Sequence, residues 1–180
     1  MPRSHVALLR GINLGSHNKL AMRDLAEIFS GAGCTEVAAY ILSGNIVFSA
    51  GTGLAARIAS LVTAQIKERY GYDVPVVLRT AAELKKVISG NPFVKAGAID
   101  RELHVMFLAH PPDRSRIDML DPDRSLPDTF KVHGSEIYLR LPNGMGRTKL
   151  NHQYFEAKLG TMGTVRNWRT VTTLFDLMKA

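Results

Sequence analysis

The run EVAAYILSGNIVFSA, residues 36–50, decides the fold. Valine, isoleucine, tyrosine and phenylalanine dominate its two halves, residues 36–42 and 45–50, which is typical of β-strands. Ser43 and Gly44 separate the halves by two residues, the spacing of a tight hairpin. A β-hairpin is therefore predicted at the centre of the first half of the chain.

Segments on either side of this hairpin complete a sheet. Before it, the apolar run 5–10 predicts a strand, and the three-to-four spacing of apolar residues over 22–29 predicts a helix. After it, apolar residues over 54–70 mark one face of a longer helix, and residues 73–78 predict another strand. The order βαββαβ is that of a ferredoxin-like α+β sheet.

The second half of the chain is predicted to be a similar α+β half. Its predicted elements are a helix over 80–88, a strand over 103–108, a weak helix over 113–120, a hairpin of 129–132 and 137–141, and a helix over 150–159. Residues 165–171 predict either a closing strand or the start of a last helix. We find no residue-level repeat, and expect the halves, residues 1–79 and 80–180, to pack into one compact unit.

Composition limits the classes of protein that the chain can belong to. Its 180 residues are 46% hydrophobic and 22% charged, which excludes intrinsic disorder. Cys34 is the single cysteine, so an intramolecular disulfide or a cysteine-based zinc cage cannot form within the chain. The first apolar run is too short for a signal peptide, and no apolar stretch reaches the roughly 18 residues of a membrane helix. We expect a cytoplasmic protein without a membrane partner.

Basic residues are concentrated in two stretches far apart in sequence. The formal net charge is +7, and residues 3–23 contain arginine and lysine but no acid. Residues 140–169 contain six arginines or lysines against Glu156 alone. Such stretches favour phosphate-bearing partners, a nucleotide or a nucleic acid, although solvated surface charge explains them equally well.

The first candidate site is the loop between the first strand and the first helix. Its candidate ligand-binding residues combine charge, amides and flexible backbone, and are Arg10, Gly11, Asn13, Gly15, Asn18 and Lys19. Backbone amides and a helix N-terminus could form an anion-binding concavity there. The spacings of a Walker loop and of a dinucleotide fingerprint are missing, and an ordinary tight loop is the alternative.

Further candidates lie in the hairpin and in the C-terminal half. They are Ser43 and Asn45, Arg147 and Lys149, and the segment Arg166, Asn167, Trp168 and Arg169. The alternatives are a plain hairpin turn, a surface linker, and a core position for Trp168. We expect the hairpin turn at the opposite end of the sheet from the first loop, which makes the C-terminal basic segment its likelier companion.

Catalytic chemistry finds little support in the sequence. Cys34 is expected to be a buried small hydrophobe, and the six histidines lack metal-ligand spacing, so no metal or cofactor is predicted. Within the basic loop, His17 is the one histidine to test. Catalytic residues stay unassigned. Besides anion binding, the open alternatives are an enzyme acting on a phosphorylated or carboxylated small molecule and a partner-binding structural protein.

Several motifs resemble one family. They are LLRGINLG at residues 8–15, Asn18–Lys19, YILSGNIVF at 40–48, Lys149–Leu150 and RNWRT at 166–170. Together they resemble the bacterial family known as domain of unknown function 1697. The resemblance implies a ferredoxin-like α+β fold and no activity. Ser16 and His17 depart from the glycine or lysine of many members, which puts a loop role for these two positions in doubt.

Overall fold

Residues 3–179 are described by a computed structural model. The strands are β1 His5–Leu9, β2 Thr35–Tyr40, β3 Asn45–Ser49, β4 Val76–Thr80, β5 Leu103–Leu108, β6 Thr129–His133, β7 Glu136–Arg140 and β8 Gly163–Asn167. The helices are α1 Met22–Gly31, α2 Thr52–Ala55, α3 Ile58–Tyr70, α4 Ala81–Gly90, α5 Pro92–Lys95, α6 Arg114–Ile117, α7 His152–Leu159 and α8 Trp168–Lys179, with a short 3₁₀ turn at Asp100–Glu102. Two four-stranded antiparallel sheets confirm the predicted α+β class.

The first sheet has the strand order β2-β3-β1-β4. Central strand β1 pairs antiparallel with β3, as in Ala7 opposite Ile46, and with β4, as in Ala7 opposite Leu78. Apolar residues of α1 and α3 cover one face of this sheet and form a core with Phe29 and Phe48, whose rings lie 5.1 Å apart. The ferredoxin-like order predicted for the first half is confirmed.

Three boundaries in the first half differ from the prediction. Strand β2 ends at Tyr40 because Ile41 has a φ of 49°, which begins the turn two residues early. The predicted helix over 54–70 is divided into α2 and α3. Strand β4 runs to Thr80, whose hydroxyl accepts from Glu83 N at 3.2 Å while Thr80 N donates to the Glu83 carboxylate at 2.7 Å. Thr80 is therefore both the last strand residue and the cap of α4.

The second sheet repeats this arrangement in the order β6-β7-β5-β8. Its core includes Met106, Ile137 and Phe155. Asn151 caps α7, because its Oδ1 accepts a hydrogen bond from Tyr154 N at 3.0 Å. The segment 165–171, predicted to be a strand or a helix, contains both, because β8 passes directly into α8 at Trp168.

A residue-level repeat accompanies this repeated topology and was missed in the sequence. The dipeptide His-Val stands near the start of both central strands, at 5–6 and at 104–105. Arg79 lies opposite the first of these valines and Arg166 opposite the second. These recurring positions are scattered along the chain and become visible once the strands of the two sheets are aligned.

The described residues form two compact units. One contains residues up to Lys85 together with those from Thr173 onward, and the other contains Lys86–Thr172. The candidate loop after β1 and the β2–β3 hairpin both belong to the first unit. Arg147, Lys149 and the segment 166–169 belong to the second.

Candidate functional site

The loop between β1 and α1 is held in an unusual backbone conformation. Four of its residues have positive φ: Gly11 at 72°, Asn13 at 54°, Gly15 at 57° and Asn18 at 47°. Glycine and asparagine are the residues that adopt this region at least cost. The composition that suggested a binding loop is therefore also what the path of the chain requires.

Asn13 ties this loop to the hairpin. Its side-chain Nδ2 donates to Leu20 O and to Leu42 O, both at 2.9 Å, and its Oδ1 accepts from Leu20 N at 2.9 Å. Both amide hydrogens and the carbonyl oxygen are thus used within the protein. The structure gives Asn13 the role of fixing two loops against each other.

The hairpin turn lies beside this loop, so our expectation that it lies at the opposite end of the sheet is wrong. Strand β3 is antiparallel to both β1 and β2, which makes β1 and β2 parallel to each other. The ends of these two parallel strands meet at one edge, where Leu9 N donates to Gly44 O at 2.8 Å. The two candidate segments of the first unit therefore form one surface.

The other polar candidates of the first unit also make internal hydrogen bonds. Asn18 Nδ2 donates to Gly11 O at 2.9 Å. Asn45 is fully buried, and its Nδ2 donates to Tyr40 O at 3.2 Å and to Ser43 Oγ at 2.9 Å. Arg10 anchors the loop through its backbone, because Arg10 N donates to Pro75 O at 3.0 Å. These contacts stabilise the loop edge of the sheet.

A cleft of about 410 Å³ opens at this edge. Its lining is drawn from the loop, the start of α1, the hairpin and the end of α3: Asn13, Lys19, Leu20, Ala21, Asp24, Leu42 and Tyr70. Lys19 supplies an exposed ammonium. Helix α1 starts after Ala21, which contributes no side-chain cap, so the first amides of α1 have no cap at this end.

A carboxylate and a phenol face each other in the same cleft. Tyr70 Oη donates to Asp24 Oδ2 at 3.1 Å. Burial, this hydrogen bond and the charge of Asp24 raise the pKa of Tyr70 above its ordinary value of 10. The Tyr70 ring stacks with Tyr72 at 6.2 Å between centroids. The cleft therefore combines the Lys19 ammonium, a carboxylate in the first turn of α1 and an aromatic edge.

In the second unit, the loop before α7 is hydrogen-bonded to the segment before β6. Lys149 N donates to Ser125 Oγ at 2.9 Å, and Arg124 Nε donates to Lys149 O at 3.1 Å. The side chains of Arg147 and Lys149 are exposed. Their predicted role in ligand binding stays a prediction.

The segment 166–169 places its four side chains in different environments. Arg166 is 7% exposed and donates to Thr164 Oγ1 at 2.8 Å; burial lowers its pKa to about 10. Asn167 accepts from Thr170 N at 2.8 Å at the start of α8. Trp168 is 4% exposed, which agrees with a core position for the indole. Arg169 is exposed.

The cysteine and the possible metal ligands of the described residues were also located. Cys34 is buried, and burial raises the pKa of its thiol to about 11. Within residues 3–179, no group of three or more histidine, cysteine or acidic side chains is arranged to hold a metal ion. No helix in this described range is long and apolar enough to cross a membrane.

Asp24, Leu42 and Tyr70 are cleft residues that sequence reasoning missed. Asp24 was the acid that ended the first basic stretch, and Tyr70 was one position on the apolar face of a helix. The two lie 46 residues apart, and no local pattern joins them. A polar atom on an otherwise apolar helix face, as at Tyr70, is the one signal that could have drawn attention.

The comparisons with known proteins agree with the fold. A family model with the description "Protein of unknown function (DUF1697)" matches residues 3–138. The conserved bacterial protein SP0830 from Streptococcus pneumoniae has a similar structure, with a TM-score of 0.76 at 19% sequence identity, over 99% of this chain and 100% of that chain. No curated protein matches the sequence.

Proposed function

The chain belongs to the DUF1697 family, whose description assigns no activity, and we propose that its first unit binds a mononucleotide or a related sugar phosphate in the cleft beside α1. One observation carries this proposal. Lys19 and the uncapped start of α1 line the same cleft as the Asp24–Tyr70 pair. A phosphate and a hydroxyl-bearing sugar would therefore each find a partner there.

The positive end suits a phosphate. Helix N-termini bind anions through unpaired backbone amides and the helix dipole, which contribute about 0.3–1 kcal/mol at an exposed end. The Lys19 ammonium adds a charge-assisted hydrogen bond at the same end. These are modest terms, so the phosphate alone would bind weakly and the rest of the ligand has to contribute.

The Asp24–Tyr70 pair, which begins in the first turn of α1, suits a sugar and a base. Asp24 accepts hydrogen bonds, as the carboxylate that binds ribose hydroxyls in dinucleotide folds does. Ribose hydroxyls can donate to this carboxylate, whereas sulfate has no hydrogen to donate, which favours a nucleotide over sulfate. The stacked rings of Tyr70 and Tyr72 give a base an aromatic edge to contact.

A single nucleotide fits better than a nucleic-acid strand. RNA-binding sheets of similar topology stack bases on exposed aromatic side chains of their central strands. Here Phe48 on central strand β3 is fully buried between the rings of His5 and Phe29. The proposed ligand is therefore a small molecule in the cleft.

A thermal-shift panel tests the proposal. Purified protein is heated with mononucleotides, sugar phosphates, inorganic phosphate and short single-stranded oligonucleotides, each at low and moderate salt. A ligand that binds the native state raises the melting midpoint by mass action. We expect mononucleotides or sugar phosphates to raise it more than inorganic phosphate does. If only oligonucleotides stabilise the protein, and only at low salt, the protein binds a nucleic-acid polymer instead. If no ligand raises the melting midpoint, the proposal is wrong.

A further inference from the structure

A second feature of the same edge is apolar. Three aliphatic side chains are exposed at the tips of the loop and the hairpin turn: Leu14 at 64%, Ile41 at 49% and Leu42 at 70%. Asn13, the neighbour of Leu14, donates to Leu42 O, so the two tips lie side by side. We call these three residues the apolar loop surface.

This surface is held in place at a cost in backbone strain. Ile41 has a φ of 49°, a region that β-branched residues rarely adopt. Leu14 forms a turn with His17, whose N donates to Leu14 O at 3.0 Å. Strain of this kind persists where the surrounding structure enforces it, and it concentrates at sites of function. A role in binding would explain why an exposed isoleucine is kept in this conformation.

The charged residues near the apolar loop surface indicate which charge a binding partner should carry. Lys19 lines the same cleft as Leu42. Residues 10–20 and 41–44, which form the loop and the turn, contain Arg10 and Lys19 and no acid. A partner that buries the leucines would gain from carboxylates placed opposite these cations.

Other occupants fit less well. A second copy of the chain would bring together two molecules of net charge +7, which repel each other. Membrane-inserting tips commonly carry tryptophan or tyrosine at the interface. Residues 10–20 and 41–44 contain no aromatic residue apart from His17.

We propose that the apolar loop surface docks an acidic, aliphatic peptide segment of a partner protein. Leucine-sized side chains of that segment pack on Leu14, Ile41 and Leu42, while its aspartate or glutamate residues face the basic loop. This proposal does not depend on nucleotide binding, since Leu14 and Ile41 lie outside the cleft lining.

Peptide selection tests it without assuming a sequence. A library of random 12-residue peptides displayed on phage is selected on the wild-type protein, and the enriched peptides are synthesised and titrated by calorimetry. We expect enriched peptides to combine acidic with large aliphatic residues. The double variant Leu14→Ser, Ile41→Asn should bind them at least tenfold more weakly. Asparagine accepts positive φ, so this variant should fold, and its melting midpoint checks that.

A charge variant separates docking from loss of structure. His17→Glu adds a carboxylate beside Leu14 and leaves the three aliphatic side chains unchanged. The variant should bind the acidic peptides severalfold more weakly than the wild type at low salt, and this difference in affinity should shrink at high salt. Selection of no peptide, of peptides without acids, or of peptides that bind the double variant equally well would overturn the proposal.

The two other possible occupants, a second copy of the chain and a membrane, are tested in parallel. Sedimentation that shows a dimer lost in the double variant would replace the peptide with a second copy. Binding to vesicles of phosphatidylcholine and phosphatidylserine, lost in the same variant, would replace it with a membrane. Nucleotide binding should be unchanged in the double variant, so failure of one proposal is distinguishable from failure of the other.

Discussion

Asn13 Nδ2 donates to Leu42 O at 2.9 Å and so joins the loop after β1 to the turn of the β2–β3 hairpin. The same side chain also bonds Leu20 in both directions. Together with the hydrogen bond from Leu9 N to Gly44 O, this asparagine holds the loop and the turn side by side.

Replacement of Asn13 tests this role. Asn13→Gly keeps the positive φ accessible but removes three hydrogen bonds, and should lower the free energy of unfolding by about 1–3 kcal/mol. Asn13→Asp should cost at least as much at neutral pH, because a carboxylate oxygen would face Leu20 O and Leu42 O without a hydrogen to donate. Urea denaturation measures both. Wild-type stability in both variants would contradict the assigned role.

Gly44 is predicted to be the least replaceable glycine of the hairpin edge. It has a φ of 77°, and a Cβ there would lie 2.8 Å from Leu9 Cβ and 2.9 Å from Ile12 Cδ1. Gly44→Ala should cost about 2–4 kcal/mol, from strain and overpacking together.

Gly134 supplies the matched control for that substitution. It has a φ of 61° in the corresponding hairpin of the second sheet, and nothing lies within 4 Å of its added Cβ. Gly134→Ala should cost about 1–2 kcal/mol, from strain alone. Equal losses of stability in the two variants would show that the close approach at Gly44 is relieved by small shifts.

Two half-buried histidines, His5 and His104, should make the protein less stable in mild acid. Burial lowers the pKa of His5 and of His104 below the ordinary value of 6.5, although Glu83 and a hydrogen bond involving Glu102, respectively, act in the opposite direction. Below pH 6.5 the unfolded chain therefore binds more protons than the folded one. The free energy of unfolding should therefore fall as the pH drops below 7, and should level off once the pH lies below the folded pKa values.

Substitution of one histidine checks the cause. His104→Gln should reduce the slope of stability against pH in that window, whereas His133→Gln, at an exposed position, should not. A slope that is unchanged by His104→Gln would assign the acid sensitivity to other groups.

Cys34 should not react in the native state. Its thiol is buried and its pKa is raised to about 11, so both access and thiolate are scarce at neutral pH. A chromogenic thiol reagent should label no cysteine in buffer and one per chain in denaturant. Rapid labelling of the folded protein would mean that the end of α1 opens easily.

Local sequence patterns predicted most of the fold because each hairpin and each helix is formed by consecutive residues. The two runs of strand-forming residues separated by Ser43 and Gly44 are an example. The site was predictable only in part. Lys19 was found because its loop is unusual, whereas Asp24 and Tyr70 meet through the packing of α1 against α3, which no local pattern records.

The misplaced hairpin has a different cause. Whether the turn lies beside the first loop depends on β3 inserting between β1 and β2, which makes those two strands parallel. The order of elements was predicted correctly, but its consequence for the ends of the strands was drawn wrongly. Asn13, a candidate ligand contact in the sequence, lines the cleft and also holds that turn through its amide, a role that the sequence did not predict.

Calorimetric titration of the protein with the mononucleotide that gives the largest thermal shift tests the central claim most directly. We compare wild type with Lys19→Ala, in the cleft, and with Lys131→Ala, an exposed lysine on β6 that does not line it. We predict saturable binding that Lys19→Ala weakens about tenfold, equivalent to about 1.4 kcal/mol, and that Lys131→Ala leaves unchanged. Binding that Lys19→Ala does not affect, or no binding by the wild type, would contradict the assignment of the cleft as a nucleotide site.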